Sequence, residues 1–157
     1  MEMELQVYAD ADFAEDSLTR HSITGNLIYF AGSLISWASK KQKLIATSST
    51  EAEFLAVFYT LRDIQYIDQI LKAIFSNRHF RIIIHQDNMS TIALIKIQSS
   101  KGRSKHYDVK LRLVNSALTD GFFEVVYTPT SEMYADIMTK NTSRNTFLHL
   151  RPYIIGP

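Results

Sequence analysis

Residues 36–61 have the sequence SWASKKQKLIATSSTEAEFLAVFYTL, in which one hydrophobic period gives way to another. Before Lys40, the apolar residues Ile35 and Trp37 alternate with polar or small ones, which is the period of two that a strand shows. We expect the Trp37 side chain to lie in the core. From residue 48 or 50 onward, apolar residues recur three and four positions apart. The stretch therefore predicts a strand over residues 33–38, followed by a long amphipathic helix that ends near Phe75.

The same patterns divide the rest of the chain. Further strands are predicted over residues 5–9, 23–31, 80–85 and 122–127. Further helices are predicted over residues 88–98 and 105–118, through residue 138 after Pro129, and for a turn or two from residue 144 before Pro152. The order is three strands, a helix, a strand, one or two helices, a strand and a helix. It predicts an α/β fold with a mixed sheet and helices on its faces.

Length and composition limit the class of protein. The 157 residues, 46% of them hydrophobic, suit a single domain over 1–157, and we expect a core at about 4–140 and a tail at about 141–157. The chain has no cysteine, which excludes disulfides and thiolate metal sites. None of its apolar runs approaches the roughly 20 residues of a membrane span, so we expect no membrane association. The net charge of +1 disfavours a simple polycation that coats nucleic acid.

Four acidic residues stand at the ends or starts of predicted elements. Asp10 follows the first strand, Glu53 starts the long helix, Asp87 follows the fourth strand and Asp136 lies in the last short helix. Carboxylates that converge from separate elements are the hard oxygen ligands that Mg²⁺ prefers. Each acid alone is explained as well by turn or cap chemistry, so only the set of four favours a metal site.

Glu51 and Glu53 both match the pattern of a helix capping box. At about 100° per residue, and with Val57 as the centre of the apolar stripe, Glu53 falls about 40° from that centre and Glu51 about 120° away. Glu53 therefore points toward the sheet, where burial of a carboxylate destabilises the fold unless the carboxylate is paired or bound to a metal. We predict that Glu53 is the metal ligand and that Glu51 is the cap.

Six short motifs occur in order along nearly the whole chain. They are Tyr8-Ala-Asp-Ala-Asp12, Ser36-Trp-Ala-Ser-Lys-Lys-Gln42, Ala46-Thr-Ser-Ser-Thr-Glu-Ala-Glu53-Phe-Leu-Ala56, Gln86-Asp-Asn88, Lys105-His-Tyr-Asp108 and Ala135-Asp-Ile-Met-Thr-Lys140. In this order they resemble the ribonuclease H domain of copia-type LTR retrotransposon polyproteins. The resemblance implies a ribonuclease H-like fold, whose five-stranded mixed sheet has the order 3-2-1-4-5 with strand 2 antiparallel.

The resemblance also implies a function and a site. It implies an endonuclease that hydrolyses the RNA strand of RNA–DNA hybrids during reverse transcription. The metal-binding and catalytic acids carry over to Asp10, Glu53, Asp87 and Asp136, with two Mg²⁺ ions, for which Mn²⁺ can substitute. The implied partners are the hybrid and the reverse transcriptase domain of the same polyprotein. The expected location is intracellular, in a cytoplasmic virus-like particle, the nucleus or both.

Two other functions are compatible with the sequence. One is a domesticated domain with weak or no activity that binds nucleic acid or a protein. The other is a different two-metal nuclease of the same fold, such as an integrase-like or resolvase-like enzyme, which the segment around Glu51 and Glu53 disfavours.

Basic side chains supply candidate contacts with nucleic acid. The candidates are Lys40, Lys41, Lys101, Arg103, Lys105 and His106, together with Asn88. Lys40 and Lys41 could equally protect an edge strand from pairing, and the run from Lys101 onward could be a solvated helix face. Many ribonucleases H have a mobile histidine shortly before the last aspartate. Residues 128–135 contain none, and His106 is the nearest substitute.

Overall fold

The computed structural model describes residues 3–97 and 105–156, with side chains from residue 107 onward in the second range. The strands are β1 (Glu4–Asp12), β2 (Ile23–Phe30), β3 (Ser33–Lys41), β4 (Arg81–Gln86) and β5 (Glu124–Tyr127). The helices are α1 (Ser49–Ile74), α2 (Met89–Lys96), α3 (Lys105–Thr119), α4 (Asp136–Thr139) and α5 (Arg144–Ile155), with a 3-10 turn over Thr130–Glu132. The predicted order of elements is confirmed.

The five strands form one mixed sheet with the order β3-β2-β1-β4-β5. β2 pairs antiparallel with both β1 and β3, whereas β4 is parallel to β1 and β5. A loop over residues 13–22 joins β1 to β2, and a short turn over residues 31–32 joins β2 to β3. α1 and then α2 with α3 provide the crossovers that parallel neighbours require. The predicted ribonuclease H-like topology, with strand 2 antiparallel, is confirmed.

α1 begins where its capping groups place it. The side chain of Ser48 accepts a hydrogen bond from the backbone N–H of Glu51, and the Glu51 carboxylate accepts one from the N–H of Thr47. These contacts satisfy N–H groups that have no partner inside the helix. Ser48 is therefore the N-cap of α1 and Glu51 adds a second capping contact, so the predicted capping role of Glu51 is confirmed and Glu53 is left for another role.

Apolar side chains cover both faces of the sheet. The larger cluster joins β1, β2 and β4 to α1, α2 and α3, and includes Phe54, Leu61, Ile64, Leu111 and Phe123. Leu27 alternates with the cluster residue Ile28 along β2, so it lies on the opposite face. α4 packs on that second face, and α5 reaches it where the Tyr29 hydroxyl of β2 donates a hydrogen bond to the Tyr153 carbonyl. Leu150 of α5 is fully buried.

Two sequence expectations about packing are wrong. Trp37 is 63% exposed rather than in the core. It pairs with Leu27 and therefore lies on the face away from α1, on an edge strand, and α4 on that face lies mainly over β1 and β2. α5 does not stop before Pro152 but continues to Ile155. Proline removes one helical hydrogen bond, and tertiary contacts offset this loss. Tyr153 stacks on Tyr134 at 4.1 Å, and its carbonyl accepts a hydrogen bond from the Tyr29 hydroxyl.

Within residues 3–97 and 105–156, no helix is both long enough and apolar enough to cross a membrane.

Candidate metal centre at the ends of the central strands

Three carboxylates meet at one edge of the sheet. Asp10 lies in β1, Asp87 directly follows the parallel neighbour β4, and Glu53 lies in the second turn of α1. One carboxylate oxygen from each lies within 4.8 Å of the other two. From the sequence, Asp10 is expected directly after the first strand. This expectation is wrong, because β1 continues to pair with β2 as far as Asp12.

The three carboxylates concentrate negative charge in a buried position. Asp10 is fully buried and Glu53 is 7% exposed. Burial, and then the charges of Asp10 and Asp87, raise the pKa of Glu53 to about 9. Hydrogen bonds from the Gln86 side chain and the Ala11 N–H lower this pKa only in part. Such an arrangement favours a bound cation, because a cation would compensate the negative charge of the three carboxylates that neighbouring protein groups do not neutralise.

The fourth predicted acid, Asp136, lies beside these three but is engaged differently. It is the first residue of α4 and is 8% exposed. Burial raises the pKa of Asp136 to about 6, and the charges of Asp10 and Asp87 contribute to this shift. Its Oδ1 atom accepts a hydrogen bond from the Lys140 ammonium at 2.9 Å. All four sequence-predicted acids are thus brought to one edge, with Asp136 next to the group of three rather than within it.

A glycine allows α4 to reach this edge. Gly25 in β2 pairs with Asp10 in β1. A Cβ atom on Gly25 would lie 2.6 Å from the Thr139 Cγ2 atom and 2.7 Å from the Met138 Cβ atom, closer than real Cβ contacts. α4 therefore rests directly on the sheet, and the Thr139 hydroxyl donates a hydrogen bond to the Asp10 carboxylate.

Sequence reasoning missed Lys140. Its ammonium lies 3.3 Å from the Asp10 Oδ2 atom and 2.9 Å from the Asp136 Oδ1 atom. Burial alone would lower the pKa of Lys140, but the two carboxylates raise it above its usual value. The spacing of four between Asp136 and Lys140 on a short helix was an available signal, since such residues are neighbours on a helix surface.

The residues predicted to contact nucleic acid differ in their positions and in the partners of their side chains. Lys40 is exposed, and Lys41 forms an ion pair with Asp16. The Asn88 side chain caps α2 by accepting a hydrogen bond from the Thr91 N–H at 3.0 Å. Lys101 and Arg103 lie outside the described residues. Lys105 and His106 occupy the first two positions of α3, and their side chains also lie outside the description.

A pocket of about 360 Å³ opens between β3 and α1. Its cationic lining residues are Lys40, Lys41, Lys43 and Arg62, and Asp63 also lines it. Lys40 pairs across the sheet with Thr24, which pairs with Ala11 next to Asp10. Because neighbouring strands are about 4.8 Å apart, the backbone of Lys40 lies about 10 Å from that of Ala11.

Relatives of the chain are polyproteins of plant transposons. The chain is 36% identical over 143 residues to the retrovirus-related Pol polyprotein from transposon TNT 1-94 of Nicotiana tabacum, a match that covers 91% of this chain and 11% of the polyprotein. It is 32% identical over 145 residues to that from transposon RE2 of Arabidopsis thaliana, with 92% and 10% covered. The chain thus spans about a tenth of the length of these relatives. No protein-family model matches it.

Solved structures show the same fold at low sequence identity. LC11-RNase H1, isolated from compost by a metagenomic approach, superposes with a TM-score of 0.64 at 14% identity, over 87% of this chain and 92% of that chain. The same enzyme in complex with an RNA/DNA hybrid superposes with a TM-score of 0.61 at 15% identity, over 87% and 94%. The fold is therefore that of the ribonucleases H.

Proposed function

Because the chain belongs with the ribonuclease H-fold segments of transposon Pol polyproteins, we propose that it is an endonuclease that hydrolyses the RNA strand of RNA–DNA hybrids. The observation that carries this proposal is the meeting of the Asp10, Glu53 and Asp87 carboxylate oxygens within 4.8 Å of one another. The sequence relationship adds the setting, which is reverse transcription of a copia-type element. The related LC11 enzyme has been captured with the proposed kind of substrate.

The donor set suits a hard divalent cation. All the candidate ligands are carboxylate oxygens, which Mg²⁺ and Mn²⁺ accept and which softer metals do not favour. We propose that the site holds two Mg²⁺ ions. Glu53 and Asp87 would contribute ligands to one ion, Asp136 would contribute to the other, and Asp10 would be shared between them. When bound, such ions activate a water for attack and stabilise the leaving oxygen of the phosphodiester.

The protein groups around the metal ligands fix their orientation. The Gln86 side chain donates to Glu53 at 3.3 Å, and the Thr139 hydroxyl donates to Asp10. Thr130 donates to the Asp87 Oδ2 atom at 2.8 Å, which restrains the orientation of that carboxylate. These contacts hold three flexible side chains in the geometry that binding requires.

The substrate would be held through its backbone rather than its bases. We propose that Lys40 and Lys41 contact phosphates on one side of the metal centre, together with Lys43 and Arg62 of the neighbouring pocket. Asn88, Lys101, Arg103, Lys105 and His106 are proposed contacts elsewhere along the hybrid. Discrimination between RNA and DNA strands would depend on the 2′-hydroxyl groups and on helix shape, so sequence preference should be weak.

The proposed partner, besides the hybrid, is the reverse transcriptase domain of the same polyprotein. The proposed place of action is inside the cell, in a virus-like particle or the nucleus.

A cleavage assay with three duplexes tests this proposal. Strand-labelled RNA–DNA hybrid, duplex RNA and duplex DNA are each incubated with Mg²⁺, Mn²⁺ or a chelator. The variant is Asp10→Asn, and the matched control is Asp120→Asn, which changes an exposed carboxylate directly after α3. Cleavage of the hybrid's RNA by the wild type and the control, but not by Asp10→Asn or in chelator, supports the proposal. Binding of the hybrid without cleavage under both metal conditions would favour a non-catalytic domain.

A further inference from the structure

A cation of the protein itself already lies in the acidic centre. The Lys140 ammonium contacts both Asp10 and Asp136, at 3.3 Å and 2.9 Å. These are the two carboxylates that the second ion of the proposed mechanism would need. Among the described residues, the Lys140 ammonium forms hydrogen bonds with these two carboxylates and with neither Glu53 nor Asp87.

The backbone of Lys140 is held in place, whereas its side chain can reach solvent. The Lys140 N–H donates to the Asp136 carbonyl at 2.9 Å and ends α4, which the close contact at Gly25 holds against the sheet. The side chain itself is 36% exposed. Its four-carbon stem can therefore carry the ammonium from the carboxylates to solvent without any movement of α4.

We infer that Lys140 occupies the second cation position of the free protein, so that metal ions bind in sequence rather than together. The first divalent ion enters between Asp10, Glu53 and Asp87. A second ion must displace the ammonium from Asp10 and Asp136, and it is repelled by that ammonium until this happens. Lys140 is thus a positioning residue that excludes the second ion. This inference rests on the proposed function, which is what assigns a catalytic role to a second ion.

Titration with Mn²⁺ in the absence of nucleic acid tests this inference, with bound ions counted by electron paramagnetic resonance. Lys140→Met keeps much of the side-chain volume but removes the charge, whereas Lys140→Arg retains the charge. Lys72→Met is the matched control, because Lys72 forms the same spacing-of-four ion pair with Asp68 on α1. Unfolding curves of each variant are recorded in parallel, and Lys140→Gln replaces the methionine variant if the latter does not fold.

The wild type, Lys140→Arg and Lys72→Met should bind one ion well and a second only weakly. Lys140→Met should bind the second ion at least about tenfold more tightly, because removal of a positive charge this close to the site typically changes the affinity for a cation by at least that factor. Equal affinity for the second ion in the wild type and Lys140→Met, or no Mn²⁺ binding by any protein, would overturn the inference. Ion counting is independent of cleavage, so an altered count without hybrid cleavage would refute the proposed function and leave this inference standing.

Discussion

Replacement of Glu53 by glutamine should stabilise the metal-free protein at neutral pH, although it removes a proposed ligand. The folded chain gives Glu53 a pKa of about 9, against an ordinary value of 4.5. Because the folded state binds this proton more tightly than the unfolded state, the group's favourable contribution is complete below pH 4.5. It is lost progressively as the pH rises toward 9. Glutamine does not titrate and therefore does not incur this loss.

The size of the effect follows from the pKa. Each pKa unit corresponds to about 1.4 kcal/mol, so the 2.5 pH units between 4.5 and 7 correspond to at most about 3.5 kcal/mol. The difference in unfolding free energy between Glu53→Gln and wild type should be close to zero near pH 4.5. It should grow by up to about 1.4 kcal/mol per pH unit up to pH 7. Added Mg²⁺ should stabilise the wild type more than the variant, because the ion compensates the charge that glutamine lacks.

Urea unfolding at pH 5, 6 and 7, in chelator and again in Mg²⁺, measures these differences. Glu132→Gln is the control, since the Glu132 side chain is exposed and lies outside the cluster of three carboxylates. The reasoning is refuted if Glu53→Gln is less stable than wild type at pH 7 in chelator, or if the difference does not change with pH.

Three further substitutions test the packing around the site. Gly25→Ala should lower the unfolding free energy by about 1–3 kcal/mol and reduce cleavage, because its Cβ would displace α4; unchanged stability would contradict the contact. Ser48→Ala should cost about 1 kcal/mol in urea unfolding through loss of the α1 cap, and a change below about 0.3 kcal/mol would show that Glu51 suffices. Trp37→Ser should change stability by less than about 0.5 kcal/mol, since the ring is 63% exposed; a loss of several kcal/mol would place it in the core.

The sequence predicted the elements whose signals are local. The change of hydrophobic period located α1 to within a residue or two, and the helical angle separated Glu53, which is buried, from Glu51, which caps the helix. The approach of Asp10 to Asp87 was predictable because both lie near the carboxyl ends of parallel neighbouring strands, and such ends meet at one edge of a sheet.

The features that the sequence did not predict depend on distant contacts. The exposure of Trp37 depends on which strands α4 covers on the face away from α1, and the continuation of α5 through Pro152 depends on contacts of Tyr153 with Tyr29 and Tyr134. The role of Lys140 depends on the close approach of α4 to Gly25, more than 100 residues earlier in the chain. Periodicity and capping patterns carry no information about such approaches.

Crystals of the wild-type protein grown with Mn²⁺ provide the most direct measurement, because the proposed function and the role of Lys140 both require a divalent cation between Asp10, Glu53 and Asp87. Anomalous scattering at the manganese edge locates the ion. The structure predicts a peak with carboxylate oxygens of these three residues about 2.1 Å away, close to the usual distances for such hard cations. Well-ordered carboxylates with no peak between them at saturating Mn²⁺, or a peak only at other residues, would contradict the account.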